Sequence, residues 1–172
     1  MSRRRFAPAL TLVEAIISIL VVSLMLTAAL HTVGAARTAH ARNADYARAA
    51  LLAEALMSEI LLRRYEEGGG IGTLGLDAGE ADMPGRTGYD DVDDYYRLSD
   101  APPRDRMGNP LPGYEGWSRT VNVRVISGVD LLGIILVDSG VKEITVDVMR
   151  GDARLARLTA LKTAHPLRSF GE

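Results

Sequence analysis

The sequence contains no cysteine and has only three histidines, His31, His40 and His165. The lack of cysteine excludes a disulfide framework, a zinc–thiolate site and a cysteine nucleophile. The histidines do not have the spacing of metal ligands, and neither an HExxH nor a GxSxG motif occurs. These absences argue against catalysis, and we predict that the protein is not an enzyme.

The sequence also has little excess charge of either sign, with a formal net charge of −2. Arg3, Arg4 and Arg5 form an N-terminal flank, whereas a nucleic-acid partner would require a broad basic face. We therefore expect no nucleic-acid partner. A chain of 172 residues is long enough for one compact domain and an accessory segment.

Charged residues are absent from Ala15 to Ala36, where Ile, Leu, Val, Ala and Met dominate. As a helix, these roughly 22 residues would extend about 33 Å, close to the hydrocarbon thickness of a bilayer. A buried core helix normally shows a polar stripe, and a cleaved secretory signal normally has a shorter apolar run. We therefore predict a membrane span over residues 10–36, although basic residues on both sides leave its orientation open.

No proline interrupts the chain from Leu10 to Glu67, and apolar residues continue to recur every three or four positions beyond the apolar run. This spacing predicts one helix over that range, with an amphipathic second half (37–67) that lies against a sheet. Glu59 and Arg63 have the spacing of a favourable ion pair on the helix surface. The predicted apolar stripe consists of Tyr46, Ala49, Ala50, Ala53, Leu56, Met57 and Ile60.

A region rich in Gly, Pro and Asp follows at 68–116 and predicts a long loop, with its first glycines ending the helix. Within it, Asp90, Asp91, Asp93 and Asp94 could supply oxygen ligands to calcium, although their spacing is not that of an EF-hand. A solvated acidic loop and a partner-contact surface are the alternatives. Calcium is the only cofactor that the sequence suggests.

Residues 117–165 predict an antiparallel sheet, followed by a tail at 166–172. Trp117 to Ile126 and Val141 to Met149 alternate between apolar and polar residues, and in the second of these Lys142 is assigned to the polar face. Arg150-Gly151-Asp152 predicts a hairpin turn.

After this turn, Ala153 to Thr163 is expected to return as a strand with Leu155, Leu158 and Leu161 on its apolar face. The apolar run Leu131 to Val137 is either an extra strand or a buried connection.

Ala9-Leu10-Thr11-Leu12-Val13-Glu14, after a basic leader and before the apolar run, resembles the processing site of type IV prepilins and type II secretion pseudopilins. In that family, prepilin peptidase cuts after a small residue, usually Gly, and methylates the new N-terminus. The resemblance places a leader at 1–9, the cut between Ala9 and Leu10, and the methyl group on Leu10. Ala9 and Leu10 stand where the family usually has Gly and Phe, and Pro8 is unusual beside the scissile bond.

The resemblance also implies a role for Glu14, which would otherwise be costly beside a membrane. In such filaments the glutamate is thought to pair with the free N-terminal amine of a neighbouring subunit. A bundle of apolar helices would strengthen this pair because its dielectric constant is low. An unpaired glutamate that reaches the lipid headgroups is the alternative.

The resemblance implies an α+β pilin-like fold, in which the long helix packs on three or four antiparallel strands. Glu54–Ile60, Trp117–Val123 and the hairpin beginning at Val141 are similar to minor pilins and minor pseudopilins of the PilV or general-secretion I type. Such a subunit helps to initiate or cap a type IV pilus or a type II secretion pseudopilus. A tip-exposed module that binds a substrate, a surface or calcium is the alternative.

The partners that the resemblance implies are other pilin or pseudopilin subunits, prepilin peptidase, an inner-membrane assembly platform and membrane lipid. The implied location is the inner membrane, crossed once, with a short cytoplasmic leader and the C-terminal domain outside the cytoplasm.

Overall fold

The computed structural model describes residues 11–65, 74–76, 79–129 and 136–164. One long helix and an antiparallel sheet confirm the predicted α+β class. The chain divides into two compact units, Met1–Ala44 and Asp45–Glu172, and the helix contributes residues to both. In chain order the elements are α1 (Leu12–Leu61), a 3-10 turn (Asp93–Tyr95), β1 (Ser99–Asp100), β2 (Trp117–Val129), β3 (Leu136–Arg150) and β4 (Ala153–Thr163).

The sheet of the second unit has the strand order β1-β2-β3-β4, and every neighbouring pair is antiparallel. Strands β2 and β3 contain the segments that the alternating pattern predicted, β4 is the strand expected after the hairpin turn, and the turn at Gly151 and Asp152 joins β3 to β4. The connection from β3 to β4 is a two-residue hairpin turn, as antiparallel neighbours allow, whereas residues 101–116 connect β1 to β2.

The fourth strand of the described sheet is β1, which lies inside the Gly/Pro/Asp-rich region and pairs with the beginning of β2. Of the apolar run Leu131–Val137, Leu136 and Val137 are the first residues of β3, while 131–135 lie outside the described residues, so the choice between an extra strand and a buried connection stays open for them. A two-residue edge strand carries too little periodicity to be found in a sequence.

The inner face of the sheet is built by alternate residues of β2 and β3. Val121 and Val123 of β2 are buried, as predicted, and so are Ile144, Val146 and Val148 of β3. Branched aliphatic side chains suit this pleated and buried surface.

Lys142 was assigned to the polar face of β3, and that prediction is wrong. Lys142 lies two residues before Ile144, so the period of a strand turns both side chains to the same face. Its side chain is 1% exposed. The sheet therefore carries a buried ammonium group in line with its apolar core.

A β-bulge changes the phase of β4. Its pairing with β3 shifts between Val148 and Met149, and Leu155 is the extra residue of the bulge. Leu155 and Leu158 consequently both pack against the core, although they are three residues apart. Leu161 falls on the other face and is 60% exposed, so its predicted place on the apolar face is wrong.

Within the second unit, one face of α1 is buried against the sheet. The predicted stripe is largely confirmed, but Tyr46 is 53% exposed and Leu52, which the stripe omitted, is buried. The buried residues of the helix are Ala49, Leu52, Ala53, Leu56, Met57 and Ile60.

Helix α1 ends at Leu61, whereas the sequence predicted that it continues to Glu67. Two tertiary contacts account for the earlier end. The carbonyl of Leu61 accepts a hydrogen bond from Lys162 Nζ at 2.7 Å, and Arg64 forms a parallel bridge with Asp91. After Leu61 the chain turns at Leu62 and Arg63, and Arg64 then pairs with Asp91, while 66 and 67 lie outside the described residues.

The Gly/Pro/Asp-rich region contributes to the core. Val92 and Tyr95 are fully buried, and the rings of Tyr95 and Tyr89 meet edge to face with centroids 5.0 Å apart. This region therefore positions specific side chains against the helix and the sheet.

Candidate functional site

Helix α1 begins with a capping arrangement around Thr11. Its Oγ1 accepts a hydrogen bond from the backbone N–H of Glu14 at 3.2 Å, and its carbonyl accepts one from Ala15 at 3.1 Å. Thr11 and Glu14 have the spacing of a capping box, in which the acid also complements the positive end of the helix dipole. Part of the predicted processing motif thus has a local role in starting the helix.

The first part of α1 is long and apolar enough to cross a membrane. It contains an 18-residue window with a mean hydropathy of 2.4, and none of that window is buried. Leu24 and Met25 are 73% and 69% exposed. A continuous apolar surface of this kind requires lipid or other apolar helices around it. Among the described residues, α1 is the one helix that meets these criteria.

Ala9 and Leu10, between which the cut is predicted, lie outside the described residues. Thr11, two residues beyond Ala9, is already the cap of the helix. The cut and the methylation of Leu10 stay predictions.

Residues 90–94, here called the acidic run, form hydrogen bonds between their own carboxylates and backbone N–H groups. Asp91 Oδ1 accepts hydrogen bonds from the N–H groups of Asp93 and Asp94 at 2.6 and 3.3 Å. Asp94 Oδ2 accepts from the N–H groups of Asp90 and Asp91 at 2.8 and 3.1 Å. Such bonds stabilise tight turns. Because Asp91, Asp93 and Asp94 are at most 5% exposed, a solvated acidic loop is the wrong description of these three residues.

Asp93 is paired with the buried Lys142 of β3. Lys142 Nζ donates to Asp93 Oδ2 at 2.7 Å and to the carbonyl of Tyr65 at 2.7 Å. It also lies 4.0 Å from the centroid of the Tyr65 ring. These bonds satisfy the ammonium group in the core, and they join the segment after α1, the acidic run and the sheet.

A second carboxylate cluster is formed by Glu80, Asp90 and Asp94, whose nearest oxygens lie within 4.8 Å of one another. Asp90 Oδ1 is buried, and no described residue forms a hydrogen bond with it. Burial raises the pKa of Asp94 above its ordinary value, although hydrogen bonds from the backbone N–H groups of Asp91 and Asp90, and one shared between the carboxyl groups of Asp94 and Glu80, oppose this shift. The structure thus brings together two of the four predicted calcium ligands and adds Glu80.

A buried network of alternating charges was not found from the sequence. Arg86 donates two hydrogen bonds of 3.0 Å to the carboxylate of Glu59. Arg119 donates two, at 3.2 and 2.6 Å, to Asp100, and Arg86 Nη1 lies 3.5 Å from Asp100 Oδ2. Glu59 therefore forms its hydrogen-bonded ion pair with a residue 27 positions away, while the charge of Arg63 makes a smaller favourable contribution.

One member of this network left a signal in the sequence. Arg119 is in phase with Val121 and Val123, so the alternation of β2 places it on the inner face. Arg86 and Asp100 lie in the Gly/Pro/Asp-rich region, where no periodicity indicates burial. Bidentate pairs of this type are strong and geometrically specific, and they hold that region against α1 and β2.

The pKa of Glu59 makes the network sensitive to acid. Burial alone would raise this pKa, but the hydrogen bonds and charge of Arg86, with a hydrogen bond from Tyr95, lower it below the ordinary 4.5. A carboxyl group with a lowered pKa stabilises the fold above its ordinary pKa, and this contribution is lost as the pH falls through the lowered value.

We therefore expect Glu59→Gln to decrease stability at neutral pH and to flatten the loss of stability in acid. Urea unfolding followed by Trp117 fluorescence, from about pH 3 to about pH 7, measures this slope. Trp117 is the single tryptophan and is 3% exposed, so it reports on the second unit. Parallel pH profiles for the wild type and the variant would contradict the assignment.

Comparison of the chain with protein-family models, with curated proteins and with solved structures found no match.

Proposed function

We propose that the protein is a minor subunit of a type IV pilus or a type II secretion pseudopilus that helps to initiate or cap the filament. The observation that carries the proposal is one helix, Leu12–Leu61, which is capped at a Thr-x-x-Glu sequence, is apolar and exposed in its first part, and is buried on a sheet in its second. The prepilin-like motif supplies the processing step.

In this proposal prepilin peptidase cuts between Ala9 and Leu10 and methylates Leu10. The subunit then waits in the inner membrane, with its C-terminal domain outside the cytoplasm. An assembly platform moves it into the filament, where helices of other subunits replace lipid around the apolar segment. The chain itself catalyses no reaction.

Glu14 has two separable roles in this account. Its position in the first turn favours the helix through the capping box and the dipole, and glutamine is also accepted at that position of a capping box. Its negative charge would pair with the N-terminal amine of a neighbouring subunit in a low-dielectric bundle. The capping geometry does not depend on charge, whereas the ion pair does; the dipole also acts on the charge but contributes only about 0.3–1 kcal/mol.

We expect both Glu14→Gln and Glu14→Ala to reduce filament assembly strongly while the subunit stays in the membrane. Glutamine retains the capping geometry but cannot form the ion pair, so it tests the charge alone. Sheared filaments and membrane fractions, probed for the subunit, give the two quantities. Normal assembly of Glu14→Gln would show that capping is sufficient and would overturn the charge pairing.

A second candidate function is calcium binding by an exposed module, and the cluster of Glu80, Asp90 and Asp94 favours it. Asp94 is buried, Glu80 and Asp90 are half-buried, and the three carboxylates lie close together, with a buried oxygen of Asp90 that has no hydrogen bond from any described residue; such oxygens suit a hard cation. Three carboxylates are fewer than the six to eight oxygens that calcium takes, so water or backbone carbonyls would complete the shell.

Calcium titration of the full chain in detergent tests this candidate. We expect binding with a dissociation constant of about 10⁻⁴ to 10⁻³ M, as in extracellular calcium modules, and loss of the heat in Asp90→Asn. Asp152→Asn, an exposed change in the β3–β4 turn, is the matched control. Neither heat nor a thermal shift in the wild type would reject the site.

A further inference from the structure

The apolar segment of α1 contains two ionisable side chains, Glu14 and His31, between Leu12 and Ala36. Ionisable groups at membrane depth are costly and normally face protein partners or water. The proposed function gives Glu14 a role, but it does not account for an imidazole at position 31 of the apolar segment.

His31 lies on a helix face that is suited to close contact with another helix. A shallow concavity beside it is lined by Thr27, Leu30, His31, Gly34 and Ala35. A Cβ added at Gly34 would have no neighbour within 4 Å, so the backbone there is open to approach. Thr27 turns its hydroxyl to the carbonyl of Ser23 at 2.9 Å, which leaves the imidazole as the polar group that this face presents.

Glu14 and His31 cannot meet within one helix. They are 17 residues apart (31 − 14), which corresponds to about 25 Å along the axis and about 100° around it. A parallel second helix that is displaced by this distance would, however, bring the carboxylate of one copy beside the imidazole of the other.

We propose that His31 of one copy donates a hydrogen bond to Glu14 of a second copy of this chain, displaced by about 25 Å along the helix axis. The inference rests on the proposed filament function. Complementary chemistry selects the occupant, because the carboxylate is an acceptor, the imidazole N–H is a donor, and both lie in an otherwise apolar segment. A carboxylate has two oxygens, so this bond is compatible with an additional amine partner.

The geometry explains why such a pair would form only on assembly. Two copies at the same membrane depth place Glu14 beside Glu14, and a pair requires the axial displacement. Each copy presents its Glu14 face to one neighbour and its His31 face, about 100° away around the helix, to the next. The contact is therefore heterologous, because it joins two different surfaces of the chain. Contacts of that kind propagate into open helical arrays rather than closed dimers.

Cysteine cross-linking tests the juxtaposition directly, since the chain has no cysteine of its own. Full-length copies carrying Glu14→Cys and His31→Cys, with different tags, are co-expressed with excess wild-type chain, and the assembled filaments are sheared from the cells and oxidised. Ala29→Cys is the matched control, because it lies about 3 Å from His31 along the axis but on nearly the opposite face.

We expect the 14–31 disulfide to exceed the 14–29 disulfide several-fold, since bridging requires Cα atoms within about 7 Å. Equal yields, or a predominant 14–14 product, would overturn the proposal.

Two substitutions of His31 supply a second, independent readout. His31→Gln keeps an N–H donor and is expected to assemble, whereas His31→Leu lacks one and is expected to lower filament yield several-fold. Leucine is more favourable in lipid than histidine, so a purely structural role predicts no loss. Wild-type yield from His31→Leu would refute the His31 contact, whereas an unprocessed wild-type N-terminus would refute the filament function itself.

Discussion

Replacing Lys142 by methionine should lower the free energy of unfolding by about 3–5 kcal/mol, because it leaves the Asp93 carboxylate buried without its cation. The effect is expected to be large because Nζ satisfies both Asp93 and the Tyr65 carbonyl in a side-chain environment that is 1% exposed. Denaturant unfolding in detergent, followed by the fluorescence of Trp117, measures the change.

Two controls separate this effect from a general loss of charge. The double variant Lys142→Met, Asp93→Leu removes both charges and should recover part of the loss, since apolar replacement of a whole buried pair is often neutral or stabilising. Arg124→Met breaks an ion pair whose arginine is 65% exposed, and it should cost no more than about 1 kcal/mol. Equal losses from Lys142→Met and Arg124→Met would contradict the account.

Asp100→Asn is expected to destabilise the second unit by a similar amount, about 3–5 kcal/mol, because it leaves two arginines facing a neutral group. Arg119 and Arg86 are 3% and 4% exposed, so solvent cannot screen their repulsion. Asp100 Oδ2 also accepts the backbone N–H of Arg104 at 2.9 Å, and this bond holds the chain after β1.

The same fluorescence measurement applies, with Asp147→Asn as the control. Asp147 pairs with Arg157, whose side chain is 50% exposed, so its loss should cost about 1 kcal/mol or less. If the Asp100 variant unfolds at the same denaturant concentration as the Asp147 variant, the buried network does not hold this region in place.

The elements with strong periodicity were predictable from the sequence. Strand β4 has the predicted bounds, β2 and β3 extend the predicted segments, and the hairpin turn lies where the glycine indicated. The helix was predictable because no proline interrupts it and its apolar spacing is regular. For the helix and β2, local pattern and tertiary packing favour the same structure.

The predicted end of the helix was wrong because a distant partner decides it. Helix α1 ends early because Arg64 pairs with Asp91, a contact that no local rule contains. Lys142 was predicted on the polar face because it is charged, although its position two residues before Ile144 places it on the inner face of the strand. The same phase rule, applied to Arg119, would have found a second buried cation.

The acidic run shows the same limit at the candidate site. Four aspartates in five positions suggested a solvent-exposed or metal-binding loop, because composition alone does not show where hydrogen-bond donors lie. In the structure, the carboxylate of Asp91 accepts hydrogen bonds from backbone N–H groups, and the carboxylate of Asp93 accepts one from Lys142. Glu80 joins the remaining pair through a fold of the chain that its sequence position did not indicate.

Mass spectrometry of the mature N-terminus, purified from cells that contain prepilin peptidase, tests the central claim most directly. The account predicts a chain that begins at Leu10 and carries one methyl group on its amine. A chain that still begins at Met1 and retains Arg3, Arg4 and Arg5 would contradict it.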